Sequence, residues 1–296
     1  MEILRTPVER FDNLPDYPFH PNYTTIDGLR IHYVDEGPRD GEVILMLHGE
    51  PSWSYLYRHM IPLFVAAGCR AVAPDLVGFG KSDKPAKQED YTYQRHVDWL
   101  RGWVEALGLR DINLLCQDWG SLIGLRLVAE HPAWFARVVL ANGGLPTGDQ
   151  EMPQAFTQWR TLAQKVSKLQ VGRMINRGTV TNLAKEVIAA YDAPYPDESY
   201  KAGARIFPAL VPTTPDDPAA PANRKAWRSL IRFDKPFLTA FSDSDPLTRG
   251  AEAAFQRLVR GAKGRDHPTI KDAGHFLQED KGPELARVVL DFIAAA

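Results

Sequence analysis

The sequence predicts an α/β protein: a mostly parallel central sheet flanked by helices, with one inserted helical cap. Three observations carry this. Short apolar runs alternate with helical periodicity across residues 43–141, as parallel strands joined by helical crossovers do. The alternation stops after Asn142 and returns near Pro236. The chain between is rich in Pro, Tyr and Arg and its helical pattern is broken. Residues 1–147 and 230–296 are therefore expected as the core, and 148–229 as the cap.

Residues 24–26 and 29–36 read as a strand pair turned at Asp27-Gly28, a dipeptide suited to positive φ. Val43–Leu47 is a continuous apolar run, as expected of a strand buried on both faces. It ends at His48-Gly49-Glu50-Pro51. Residues 55–67 are predicted as a helix and 70–73 as a strand. Residues 91–107 carry aromatic and aliphatic side chains on one helical side. Residues 112–116 are expected as a strand, 120–130 as a helix and 137–141 as a strand. Prolines at 194, 196, 212, 215 and 218 interrupt the cap. After it come a strand at 236–241, a helix at 250–259, a strand at 267–270 and a closing helix at 283–294.

Composition narrows the classes. The 296 residues, 44% hydrophobic and 24% charged, suit one large core with an insertion. A net charge of −2 gives no electrostatic case for nucleic acid or an anionic membrane. The first ten residues are charged and interrupted by Pro7, unlike a signal peptide or a membrane span. Cys69 and Cys116 lie in apolar runs and are expected as buried thiols. A cytoplasmic monomer is the expectation.

The chemistry concentrates at Cys116-Gln117-Asp118-Trp119-Gly120. A strand breaks at an acid and a helix begins, the strand–turn–helix pattern that exposes a nucleophile at its tip. A carboxylate, with a reference pKa of about 3.9, is already ionised at neutral pH. It can displace a leaving group from saturated carbon and become an ester. The indole N–H of Trp119 is a donor suited to the departing anion. His275 follows the last strand, in Asp272-Ala273-Gly274-His275-Phe276, and Asp243 and Asp245 follow the strand before it. In a parallel sheet those loops open at the same edge as the elbow. A histidine held by a carboxylate can take a proton from water.

The chain resembles the haloalkane dehalogenases of the α/β-hydrolase superfamily. The resemblance is carried by His48-Gly49-Glu50-Pro51-Ser52-Trp53-Ser54-Tyr55-Leu56-Tyr57-Arg58, Asp75-Leu76-Val77-Gly78-Phe79-Gly80-Lys81-Ser82-Asp83-Lys84-Pro85, Gln117-Asp118-Trp119-Gly120 and Asp272-Ala273-Gly274-His275-Phe276. It implies the α/β-hydrolase fold, Asp118 as nucleophile, His275 as general base and Asp245 as its acid partner. Asp245 is preferred because the Asp-Pro step fits the family pattern, while Asp243 suits a turn cap. Glu50 after His-Gly resembles the branch whose second halide-binding tryptophan comes from the cap. That implies Trp119 and Trp159 as halide donors, with Trp227 as rival, and the backbone N–H groups of Glu50 and Trp119 as oxyanion hole. The implied substrate is a small halogenated hydrocarbon, with halide and water as the other participants and no metal or organic cofactor. Cys116 and Ser121 depart from the superfamily, which often has glycine there. His48 is expected to be structural, and the Glu50 side chain is a candidate for orienting a water.

The competing reading is an epoxide hydrolase, which would use the same aspartate with cap tyrosines; Tyr191, Tyr195 and Tyr200 are available. Gly80-Lys81-Ser82 imitates the end of a phosphate-binding loop but lacks its earlier glycine, where Asp75 stands. No histidine pair has metal-ligand spacing, and no serine sits in a Gly-x-Ser-x-Gly context.

Overall fold

The computed structural model describes residues 1–295. The chain opens with a short strand, β1 (Ile3–Leu4), before the hairpin of β2 (Asn22–Ile26) and β3 (Leu29–Glu36). Asp27 and Gly28 turn that hairpin with φ of 52° and 75°, as a two-residue loop matched to strand twist requires. β4 (Val43–Leu47), β5 (Arg70–Pro74), β6 (Lys84–Pro85), β7 (Ile112–Asp118), β8 (Phe135–Gly143) and β9 (Phe237–Thr239) follow. β6 pairs with β1 outside the main sheet. The main sheet has the order β2-β3-β5-β4-β7-β8-β9. β3 is antiparallel to both neighbours, and β5, β4, β7, β8 and β9 are parallel. Ile44 to Leu47 are fully buried, which is why this strand shows no polar alternation. β10 (Phe241–Ser242) continues from β9 and pairs in parallel with β11 (Thr269–Ile270).

Crossover helices flank the sheet: α1 (Ile61–Ala66), α2 (Tyr93–Ala106) and α3 (Trp119–Glu130). Thr92 caps α2 by accepting the Arg95 N–H at 3.1 Å. Between β8 and β9 lie five α-helices, a 3₁₀ turn at Glu198–Lys201 and no strand among the described residues. The α-helices are α4 (Gln154–Lys165), α5 (Val171–Arg177), α6 (Lys185–Asp192), α7 (Ala202–Leu210) and α8 (Ala220–Leu230). α9 (Glu252–Leu258) and α10 (Leu277–Ala294) complete the chain. None of the described helices is long and apolar enough to cross a membrane. Both cysteines are free and buried.

Several expected boundaries move. The helix expected at 55–67 is a 3₁₀ turn at Ser54–Tyr57 followed by α1. Pro62 lies in the first turn of α1, where its missing N–H costs nothing, and it cannot continue a helix from upstream. The strand expected at 236–241 breaks at Ala240, and α10 begins at Leu277 instead of 283. Lys281, with φ −140° and ψ 33°, kinks α10 just before Pro283. The kink hides the helix's first turns from a reading that takes proline as a start.

Candidate active site

The carboxyl ends of the parallel strands gather the site. β4 leads into His48–Pro51, β7 ends on Asp118, β10 leads to Asp243 and Asp245, and β11 leads to His275. Asp118 has φ 48° and ψ −126°, a backbone geometry that costs a non-glycine residue about 1–3 kcal/mol. Close packing enforces it. A Cβ on Gly120 would lie 2.1 Å from the Leu47 carbonyl oxygen, and one on Gly49 would lie 2.3 Å from Asp118 Cβ. Ser121 donates its hydroxyl to the Asp118 carbonyl at 2.6 Å and accepts the Gly144 N–H at 2.9 Å. A Cβ on the neighbouring Gly143 would meet Ser121 Oγ at 2.2 Å. The space that a glycine often leaves on the helix is here left by Gly143 on β8. Cys116 is fully buried with its thiol 3.8 Å from the Val139 carbonyl, and burial pushes that thiol's pKa up.

Both oxygens of Asp118 are addressed. Oδ1 accepts the Glu50 N–H at 2.7 Å, and Oδ2 lies 3.5 Å from His275 Nε2. Asp118 receives no hydrogen bond from the Trp119 N–H among the described residues, so only the Glu50 half of the expected oxyanion hole is engaged. His275 Nδ1 lies 3.1 Å from Asp245 Oδ2. Asp245 accepts the Leu247 N–H at 2.8 Å and the Thr248 hydroxyl. Asp243 is exposed and accepts the Asp272 and Ala273 N–H groups at 3.2 and 3.4 Å. It organises the His275 loop without touching the imidazole.

Electrostatics follow from this stack. Burial penalises ionised Asp245, but the neighbouring His275 outweighs it and holds the carboxyl down to about 2. Burial likewise opposes charge on His275, and the Asp245 and Asp118 carboxylates reverse it, raising the imidazole to about 10. Glu50 behaves oppositely. Its burial and the Asp118 charge push its carboxyl well above the ordinary range. His48 Nε2 accepts the Leu76 N–H at 2.9 Å while Nδ1 meets the Gly49 carbonyl at 2.9 Å, so this histidine joins two loops.

Above Asp118 lies a cavity of about 940 Å³. Leu122, Phe156, Met174, Val211 and Phe276 make much of its wall apolar. Trp119 lines it, stacks on Phe207 at 4.2 Å, and has no partner for its indole N–H among the described residues. Trp159 lines it too, but its N–H donates to Glu50 Oε2 at 3.0 Å. The rival Trp227 gives its N–H to the Leu145 carbonyl at 2.7 Å. None of the three candidate tyrosines lines the cavity. Tyr191 donates to Glu279 and the Tyr195 hydroxyl is buried without a partner. No cluster of His, Cys, Asp and Glu able to hold a metal occurs among the described residues. At Gly80-Lys81-Ser82 the Asp75 carboxylate accepts the Lys81 N–H at 2.7 Å, filling the place a phosphate would need.

The alpha/beta hydrolase fold family matches residues 42–282. The haloalkane dehalogenase of Psychrobacter cryohalolentis is 56% identical over 99% of this chain and 98% of its own. Haloalkane dehalogenase 1 of Mycobacterium tuberculosis is 54% identical over 99% of both chains. A solved structure of haloalkane dehalogenase from Paraglaciecola agarilytica superposes with a TM-score of 0.92 at 36% identity, covering 98% of each chain. This chain belongs to the haloalkane dehalogenases. The epoxide-hydrolase alternative is withdrawn: the relatives do not support it and its tyrosines stand away from the cavity.

Two residues of this dehalogenase make contacts that the sequence does not reveal. Gln117 donates its amide to the His275 carbonyl at 3.2 Å and places the same nitrogen 3.1 Å from His275 Nε2. Asn142 donates to the Gly274 carbonyl at 2.9 Å. Gln117 was visible as the neighbour of Asp118, but its partner lies 158 positions away.

Proposed function

We propose that this protein hydrolyses carbon–halogen bonds of small halogenated aliphatic hydrocarbons to an alcohol, a halide ion and a proton, through an ester on Asp118. The observation that carries the reading is the line from buried Asp245 and His275 to Asp118 beneath an apolar cavity that also holds the unpaired Trp119 N–H. The inserted helices α4–α8 act as the cap over this site.

In the first step Asp118 Oδ2, the oxygen not tied to Glu50, attacks the halogen-bearing carbon. The O–C bond forms as the C–X bond breaks, and the electron pair leaves on the halide. Trp119 and Trp159 supply N–H donors to that growing charge. Esterification neutralises Asp118 and removes one of the two charges that hold a proton on His275. The imidazole then releases that proton to solvent, as the proton product, and takes one from water, whose oxygen attacks the Asp118 carbonyl carbon. Oxyanion charge falls on Oδ1, where the Glu50 N–H is already 2.7 Å away. Collapse expels the alkoxide, which takes a proton from the His275 imidazolium, and the Asp118 carboxyl then passes its own proton to His275, restoring the carboxylate.

The test is bromide release and acidification with a short terminal dibromoalkane, in wild type and Asp118→Ala. Release that vanishes in the variant is expected. Equal release in both would remove Asp118 as nucleophile. The expected monomer finds no support: the Paraglaciecola relative is described as tetrameric. We infer an oligomer, which light scattering on the purified chain decides.

A further inference from the structure

The Trp159 indole has one hydrogen, and Glu50 Oε2 holds it at 3.0 Å. We infer that Glu50 is a built-in competitor of the halide: the cap tryptophan must exchange the Glu50 carboxyl for the anion, and only the neutral form of Glu50 permits that exchange. This deepens the dehalogenase reading and rests on its halide site.

Trp159 lies on α4 among the inserted helices and Glu50 follows β4 in the core, so their bond spans cap and core inside the cavity wall. Glu50 is 4% exposed, and its second oxygen, Oε1, is buried with no partner. When a halide takes the indole hydrogen, Oε2 loses its partner and neither Glu50 side-chain oxygen has one. An ionised carboxylate left so would be a buried, unpaired charge beside an anion, which is prohibitive. A protonated acid meets no such penalty. The charged groups around it set the balance. Asp118 at the tip of β7 favours the neutral acid, while His275, from the loop before α10, and the Trp159 N–H favour the ion. Tyr195, after α6, faces it as a buried neutral phenol. Burial together with Asp118 prevails, so the carboxyl titrates well above the ordinary range.

The consequence is a halide affinity that falls as pH rises. Above the Glu50 pKa the bromide dissociation constant grows about tenfold per pH unit, because only the protonated fraction exchanges. The experiment follows the indole N–H resonances of the ¹⁵N-labelled full chain during bromide titration across pH, with Trp119→Phe and Trp159→Phe assigning the two signals. Bromide should shift both. Glu50→Gln, a neutral amide of the same shape, should remove the alkaline weakening, and His275→Phe should retain it. The same weakening in Glu50→Gln, or its loss in His275→Phe, would overturn the inference by assigning the titration elsewhere. Bromide that moves Trp119 alone overturns the exchange and leaves the proposed reaction standing. Bromide that moves neither removes the halide site itself, and the inference with it.

Discussion

His275 Nε2 lies 3.5 Å from Asp118 Oδ2 while its other nitrogen lies 3.1 Å from Asp245 Oδ2. One imidazole is thus held between two carboxylates. In the proposed reaction, ionised Asp118 keeps His275 charged and alkylated Asp118 releases that hold.

Asp245→Asn tests the permanent member of the pair. The variant removes the larger charge favouring the imidazolium and leaves an amide that can meet the wrong tautomer. Ester hydrolysis should slow by about 10³- to 10⁴-fold, with halide formation in the first turnover much less affected. Rapid-quench kinetics separates the two steps.

The same pair shapes stability against pH. Asp245 is depressed to about 2, so its contribution is present above the unfolded carboxyl pKa of about 3.9 and lost as pH falls toward 2. His275 is raised to about 10, so its contribution is complete below the unfolded value of about 6.5 and lost as pH rises through 10. Thermal melts of wild type should lose stability at both ends, and Asp245→Asn should flatten both losses.

Trp119→Phe keeps an aromatic ring against Phe207 and deletes one donor. A hydrogen bond to a charged group contributes roughly 1.5–3 kcal/mol. The halide-forming step should fall about 10- to 100-fold, with weaker bromide binding measured in parallel.

Glu279→Ala probes how the insertion is fastened. Arg58 and Glu279 pair with side chains 2% exposed, and Tyr191 of α6 donates to the same carboxylate. Deleting the carboxylate strands a buried guanidinium, expected to cost about 3–5 kcal/mol. Urea unfolding monitored by circular dichroism reads this directly.

Much of this was legible in the sequence, for identifiable reasons. Continuous apolar strands such as Val43–Leu47 and the break at Asp118 announce themselves because burial on two faces and a strand-to-helix turn each restrict residue type locally. Asp243 and Asp245 could be ranked by their context. What stayed hidden depends on packing between distant segments. Ser121 is explained by Gly143 on an adjacent strand, Gln117 by the His275 loop, and the occupied N–H of Trp159 by Glu50. Spacing along the chain carries none of those partners. The start of α10 was lost for a local reason, since the kink at Lys281 makes Pro283 resemble a first turn.

The most direct measurement is mass spectrometry of His275→Phe after exposure to a short bromoalkane. The account predicts one bromide per protein, an added alkyl group on the peptide containing Asp118, and no further turnover. Sustained turnover, or an unmodified Asp118 peptide after bromide release, would contradict it.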